Sequence, residues 1–112
     1  MSASETLAAT LTELRATRLD MMSTKWFLAL ETKDDDTKAD AARKLLQTQH
    51  AIRKLENTQL ADIRDKLIDN ETDLQAGIDN LESKREKLNQ VKSVLSAVTG
   101  LLGIVGRIIT LI

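Results

Sequence analysis

The side chains that could bind a metal are few and far apart. His50 is the single histidine, and the chain contains no cysteine. A zinc site at His50 would therefore need carboxylate ligands, and the neighbouring Arg53 and Lys54 would oppose the cation on the same helix. We interpret His50 as a surface residue and predict no metal site.

The carboxylates do not form a catalytic arrangement either. Glu56 with Asp62, or Asp69 with Asp73, could be drawn as acid–base pairs, but both pairs lie along amphipathic helical segments as solvated faces. General acid–base catalysis needs such groups in a pocket, and the sequence predicts none. We expect no catalytic residue, no cofactor and no small-molecule substrate, and we predict that the protein is not an enzyme.

A run of three acids, Asp34, Asp35 and Asp36, precedes Thr37. Aspartates at the start of a helix accept hydrogen bonds from its unpaired backbone amides and favour its positive end. A calcium loop would need further oxygen ligands at regular spacing, and none follow. The run therefore predicts a helix start.

Four basic residues lie close together near the end of the chain: Lys84, Arg85, Lys87 and Lys92. They could contact phosphates or anionic headgroups. The net charge is only −1, and the cluster contains no aromatic residue on which a base could stack. The sequence predicts a collar of headgroup contacts and no nucleic-acid partner.

The elements that carry these residues are helical. Proline is absent, and the apolar residues are aliphatic and mixed with 29% charged residues, which is typical of long packed helices. Ser2 and Glu5 have the spacing of a capping box. Apolar residues then recur at helical spacing, so the first helix is predicted over residues 3–31. The fold class is all-α.

A second helix is predicted from Thr37 onward, and its main feature is a leucine heptad. The leucines of this predicted oligomer seam are spaced seven apart, at Leu60, Leu67, Leu74, Leu81 and Leu88. Two architectures remain open. In one, an antiparallel helical hairpin continues into a long, coiled-coil-like C-terminal helix of roughly 110 Å. In the other, a turn near Asn70 gives a three-helix bundle with an apolar tail.

The first helix is too short to cover a continuous heptad. Each leucine that is buried stabilises the fold by about 1.5–3 kcal/mol, and leucines left in water would not contribute this stabilisation. We therefore expect a homo-oligomer or a helical protein partner.

The last segment, residues 93–112, is predicted as a separate apolar helix after a helical region spanning residues 1–92. Its length approaches that needed to cross a hydrocarbon core, although Arg107 lies inside it. Glycines three apart could allow close helix packing, at Gly100, Gly103 and Gly106. The residues expected to contact a membrane or a partner are Leu95, Val98, Leu102, Val105 and Ile109.

In outline, a helical region followed by an apolar end resembles a tail-anchored protein or a helical pore former. We expect a non-enzymatic protein that self-assembles through the seam and inserts or docks its last helix in a membrane. Such a protein would be membrane-associated, with its N-terminal part cytoplasmic. The alternative is a soluble coiled-coil adaptor, chaperone or scaffold whose last helix is buried against a partner protein. That protein would be cytoplasmic, or exported without a signal peptide.

Overall fold

The structure is a computed structural model, and it describes residues 2–111. Within this range every regular element is an α-helix, so the all-α class is confirmed. There are six helices in this part of the chain: α1 (Ala3–Asp20), α2 (Thr24–Leu30), α3 (Asp35–Asn57), α4 (Leu60–Asp69), α5 (Glu71–Arg85) and α6 (Val91–Val105).

The first predicted helix is interrupted after Asp20. The capping box at its start is present, because Glu5 N donates to Ser2 Oγ and Ser2 N donates to Glu5 Oε1, both at 3.1 Å. The interruption comes from Ser23, whose hydroxyl donates to Asp20 O at 2.6 Å and accepts from Trp26 N at 3.2 Å. A serine that bonds nearby backbone in this way favours a helix start over a helix interior. The range 3–31 is therefore divided into α1 and α2.

The continuous second helix is also replaced by shorter ones. Thr58 has an extended backbone, and its hydroxyl donates to Lys54 O at 2.7 Å, which ends α3. Asn70 Nδ2 donates to Lys66 O at 2.8 Å between α4 and α5. Side chains that bond backbone carbonyls compete with the helical ladder, and the heptad pattern does not register this competition. The turn near Asn70 was one of the two predicted architectures, but the further breaks were not predicted.

Four helices, α1, α3, α5 and α6, surround one core, and we call each of them a wall of the bundle. On one side of this core α1 lies against α3 and α5, and on the other α6 lies against the same two helices. Thus α1 and α6 are diagonally opposite. Asp73 of α5 pairs with Arg107 beyond the end of α6, whereas Gly77 approaches Leu101 and Ile104. These contacts show that α5 and α6 run antiparallel. The short helix α4 packs on α1 and α5.

The heptad leucines contribute to this core. Leu67 lies on α4, Leu74 and Leu81 lie on α5, and all three are buried. Leu88 is buried in the connection before α6, and Leu60 is half-buried. The radius of gyration is 13.9 Å, near the roughly 13 Å of a compact chain of this length. Within this chain, the predicted seam is therefore covered by the chain's own helices.

Candidate functional site

The apolar C-terminal helix is the feature on which the functional hypotheses depend. All eight buried residues of α6 are aliphatic, and Ile108 and Ile109 beyond it are buried as well. The five residues predicted to contact a membrane or partner are all in this buried set: Leu95, Val98, Leu102, Val105 and Ile109. They contact the chain's own core, and α6 starts at Val91, within the region predicted to end at residue 92. Among the described residues, no helix is both long and apolar enough to cross a bilayer.

The glycine that provides close packing within the described part of the chain is Gly77 of α5, which is not one of the three predicted to do so. A Cβ on Gly77 would lie 3.2 Å from Ile104 Cδ1 and 3.3 Å from Leu101 Cδ1, so α5 and α6 approach closely there. Gly100 and Gly103 instead face open space, and Gly106 caps the end of α6. Close packing by these three glycines stays a prediction about contacts outside this chain.

The predicted basic collar is divided by the fold. Lys84, Lys87 and Lys92 are exposed around the connection from α5 to α6. Lys92 lines a surface groove together with Asp34, Asp36 and other α3 residues. Arg85, by contrast, turns inward toward α1, and its side chain is only 17% exposed. Three of the four residues are therefore exposed, and the headgroup contacts of the collar stay a prediction.

Arg85 joins α5 to α1 through two acids. Its Nε and Nη2 donate to Glu13 Oε2 at 2.7 Å and to Glu13 Oε1 at 3.0 Å, and its Nη1 donates to Asp20 Oδ2 at 2.7 Å. The hydrogen bonds with Glu13 raise the pKa of Arg85 above its ordinary value. The sequence places these residues about seventy positions apart, so no local pattern could have predicted this ion-pair cluster.

The buried face of α1 is mostly polar. Its buried residues are Thr6, Thr10, Glu13, Leu14 and Thr17. The hydroxyl of Thr10 donates to Thr6 O at 2.8 Å, and that of Thr17 donates to Glu13 O at 2.8 Å. These bonds satisfy the hydroxyls within α1 itself and do not tie α1 to its neighbours. Burial of threonine gives less hydrophobic stabilisation than burial of leucine. Half-buried Leu7 and Leu11 add to the contact, but α1 is the wall of the bundle with the fewest fully buried aliphatic residues.

The residues considered for chemistry lie on separate helices. Asp34 caps α3 by accepting a 2.8 Å hydrogen bond from Thr37 N, and hydrogen bonds from Thr37 lower the pKa of Asp34. His50 is half-buried on α3 and lines a shallow groove with Arg53, Lys54 and two other residues. In the part of the chain that the structure describes, no group of three or more acids, histidines or cysteines could hold a metal ion.

The two aromatic residues have opposite environments. Trp26 is fully buried, whereas Phe27 beside it is exposed. Other large apolar residues near them in the chain are exposed too, including Leu19, Met22 and Leu28. Helical spacing over the predicted range 3–31 could not show which of these residues are buried, because the chain breaks between α1 and α2.

Comparison with known proteins adds no further constraint. No protein family, curated protein sequence or solved structure matches this chain. Its function is therefore inferred from its own geometry.

Proposed function

We propose that this chain is a non-enzymatic, membrane-associated helical protein that holds its apolar C-terminal helix in the core of a closed bundle and presents that helix to a bilayer when the bundle opens. The observation that carries the proposal is the contrast between two walls of the core. The buried residues of α6 are all aliphatic, whereas those of α1, diagonally opposite, are three threonines, one glutamate and one leucine.

This contrast makes α1 the wall that separates at least cost. Undocking α1 exposes few fully buried aliphatic side chains to water. The ion pairs of Arg85 with Glu13 and Asp20 do not replace the stabilisation that aliphatic packing would give. A buried ion pair must offset the cost of removing its charges from water, so it often stabilises a fold no more than apolar packing would. Loss of α1 would open the core on the side that α6 faces.

Opening also bears on self-assembly. The buried leucines of α4 and α5, including Leu67, Leu74 and Leu81, belong to helices that contact α1. Once α1 leaves, these side chains would face water unless another surface covers them. The proposal therefore includes self-association of the opened chain through this leucine seam, with α6 in contact with lipid.

A disulfide between α5 and α6 tests the opening step. The ideal Cβ position of Gly77 lies 3.7 Å from Leu101 Cα, so the two backbones are close enough for a bond whose Cα atoms usually lie about 4.4–6.8 Å apart. The chain has no cysteine, so the variant G77C/L101C forms one defined crosslink. The oxidised protein holds α6 against α5, and the reduced protein is the matched control with an identical sequence.

Flotation with liposomes that contain phosphatidylglycerol gives the readout. We expect the reduced variant and the wild type to float and to resist release by high salt, and the oxidised variant to be released. Salt-resistant flotation of the oxidised variant would overturn release of α6. The single variants G77C and L101C control for the loss of the native side chains.

The second candidate is a closed helical adaptor or scaffold that never opens. It is favoured by the fact that α6 and most of the heptad leucines are already covered within the chain, so neither needs lipid. In that case, both the reduced and the oxidised proteins would remain in the soluble fraction, and the membrane proposal would fail.

A further inference from the structure

Exposed apolar side chains are concentrated in the first three helices. Of the six large apolar residues that are exposed among residues 2–111, only Ile68 lies outside the range 19–46. Leu19 is 70% exposed, Leu46 is 67% exposed and Met22 is 53% exposed. Single exposed leucines are ordinary, but a local concentration of them marks an interaction surface.

Three of these residues lie near the C-terminal end of α1 or on the part of α3 that follows from the groove between these helices toward that end. Arg15 of α1 pairs with Glu56 of α3 at 2.7 Å. Leu19 follows Arg15 by four residues, so it continues the same side of α1, and Met22 lies in the turn just after α1. Leu46 lies on the same side of α3 as Gln49 and Arg53, which are three and seven residues further on.

The direction of the two helices brings these ends together. Arg18 lines a groove with Gln49, Ile52, Arg53 and Glu56. Moving forward along α1 from Arg15 to Arg18 therefore corresponds to moving back along α3 from Glu56 toward Gln49. The helices are antiparallel, and Leu46, in the middle of α3, lies one turn beyond Gln49 in the direction in which α1 ends. We call Leu19, Met22, Leu46, Arg18 and Arg53 the corner surface.

The charge of the corner surface is positive. Arg18 and Arg53 form no ion pair within the part of the chain that the structure describes, whereas the nearby acid Glu56 is paired with Arg15. Ile68 provides a contrast, because this exposed residue on α4 lies beside Asp69 and one turn after both Arg64 and Asp65, so charges of both signs surround it. The apolar residues of the corner surface adjoin two unpaired cations, Arg18 and Arg53, and the acid next to Leu19, Asp20, is paired with Arg85.

We propose that the corner surface is a docking site for an anionic lipid bilayer, which the closed bundle contacts before α6 is released. Arginines near a membrane surface are attracted to anionic headgroups, and adjacent leucine and methionine side chains bury in the boundary between headgroups and acyl chains. This inference rests on the proposed function, but it concerns a different surface and an earlier step. It assigns headgroup recognition to α1 and α3, in addition to the lysines near α6.

Docking is measured on the protein that cannot release α6 from α5. Oxidised G77C/L101C is mixed at low salt with vesicles of phosphatidylcholine alone, or of phosphatidylcholine with phosphatidylglycerol, and its partitioning is determined by flotation. We expect binding only to the vesicles that contain phosphatidylglycerol, and release at high salt. In the same background, R18Q/R53Q should lower the partition coefficient roughly thirtyfold, since each arginine near an anionic membrane surface contributes a factor of about five to six and the two factors multiply.

A second set of variants removes the apolar side chains of the corner surface and is tested with the same vesicles. L19N/L46N replaces two exposed leucines without adding charge and should weaken binding to the vesicles that contain phosphatidylglycerol. I68N is the matched control, because it makes the same type of change at an exposed aliphatic residue outside the corner surface and should bind as the parent does. Circular dichroism shows whether each variant retains its helical content.

The outcomes separate docking from opening. The corner surface is overturned as a lipid site if the oxidised parent does not bind these vesicles, or if R18Q/R53Q and L19N/L46N bind as well as I68N does. Salt-resistant flotation of the reduced protein tests release of α6 independently. A protein that docks when oxidised but never becomes salt-resistant when reduced would retain the corner surface and refute the opening step.

Discussion

Arg85 and Glu13 face each other across the interface of α5 and α1 and form two parallel hydrogen bonds, at 2.7 and 3.0 Å. The side chain of Glu13 is only 5% exposed. The pair therefore fixes the position of α1 on the bundle and at the same time places a carboxylate where water cannot solvate it. The consequences of these two effects can be measured separately.

Replacement of Arg85 by methionine should destabilise the fold markedly. The R85M variant leaves Glu13 buried without its cation, and loss of one partner of a buried pair costs about 3 kcal/mol. The double variant E13M/R85M removes both charges and should recover most of that loss. Urea unfolding of the two variants and the wild type measures the difference. Equal destabilisation by the single and double variants would contradict this account of Glu13.

Arg107 should behave differently, although its ion pair has similar geometry. It lies 2.8 Å from Asp73, but both side chains are more than half exposed. Exposed ion pairs contribute little, because solvent screens them and ordering two long side chains costs entropy. We expect R107Q to change the free energy of unfolding by less than about 1 kcal/mol. A loss as large as that in R85M would show that Arg107 has a structural role that its exposure does not suggest.

Alanine substitution should distinguish the exposed glycines from the packed one. Nothing lies within 4 Å of a Cβ at Gly100 or Gly103, so G100A and G103A should each stabilise α6 by about 1 kcal/mol. G77A has to displace the ends of Leu101 and Ile104, so its gain should be smaller or reversed. Thermal unfolding measures all three.

The same variants test the predicted role of Gly100 and Gly103 in close packing. If these glycines allow a second copy to approach α6, G100A and G103A would weaken self-association on membranes while stabilising the free chain. Analytical ultracentrifugation in detergent, beside unfolding in water, separates the two effects. Unchanged association in both variants would exclude close packing at these positions.

Asp34 provides a prediction about pH. Its folded pKa is lowered from 3.8 by hydrogen bonds with Thr37, so the carboxylate stabilises the fold above pH 3.8, and this contribution is lost as the pH falls through the lowered folded value. D34A should therefore be less stable than the wild type at neutral pH, and the difference should shrink in acid. D34N retains a capping side chain without a charge, so its difference from the wild type should be smaller than that of D34A at every pH, with the same dependence on pH because neither variant titrates at this position. A difference for D34A that stays constant into acid would contradict the capping role.

Features that depend on residues close together in the sequence were predicted correctly. The Ser2–Glu5 capping box, the start of a helix after Asp34 and the apolar character of α6 all follow from short-range patterns, and the structure contains each of them. The breaks at Ser23, Thr58 and Asn70 were harder to predict, because one polar side chain competes with a helical ladder only where the rest of the fold benefits from a turn.

The destination of the heptad could not be predicted from the sequence either. Leucines seven residues apart would align on one face of a continuous helix, but the breaks distribute Leu67, Leu81 and Leu95 over α4, α5 and α6. These residues still face one core, since helices that fold back on each other can share it. The heptad spacing predicts that the leucines are buried. It does not predict whether the surface that buries them belongs to the same chain or to a partner.

The final prediction connects the Arg85 cluster to membrane insertion. If undocking of α1 precedes release of α6, then R85M should increase salt-resistant flotation, because it weakens the attachment of α1. E13M/R85M should return flotation toward the wild-type level, because methionines at both positions restore packing between α1 and α5. R107Q serves as a control that alters an exposed pair at the far end of α5.

Hydrogen exchange provides the structural readout for the same set of proteins. The amides of α1 should exchange faster in R85M than in the wild type, and those of α3 should change less, because α3 also packs on α6. Combining R85M with the oxidised G77C/L101C crosslink should retain the faster exchange in α1 while abolishing salt-resistant flotation. If R85M accelerates exchange in α1 but leaves flotation of the reduced protein unchanged, undocking of α1 is not the step that releases α6.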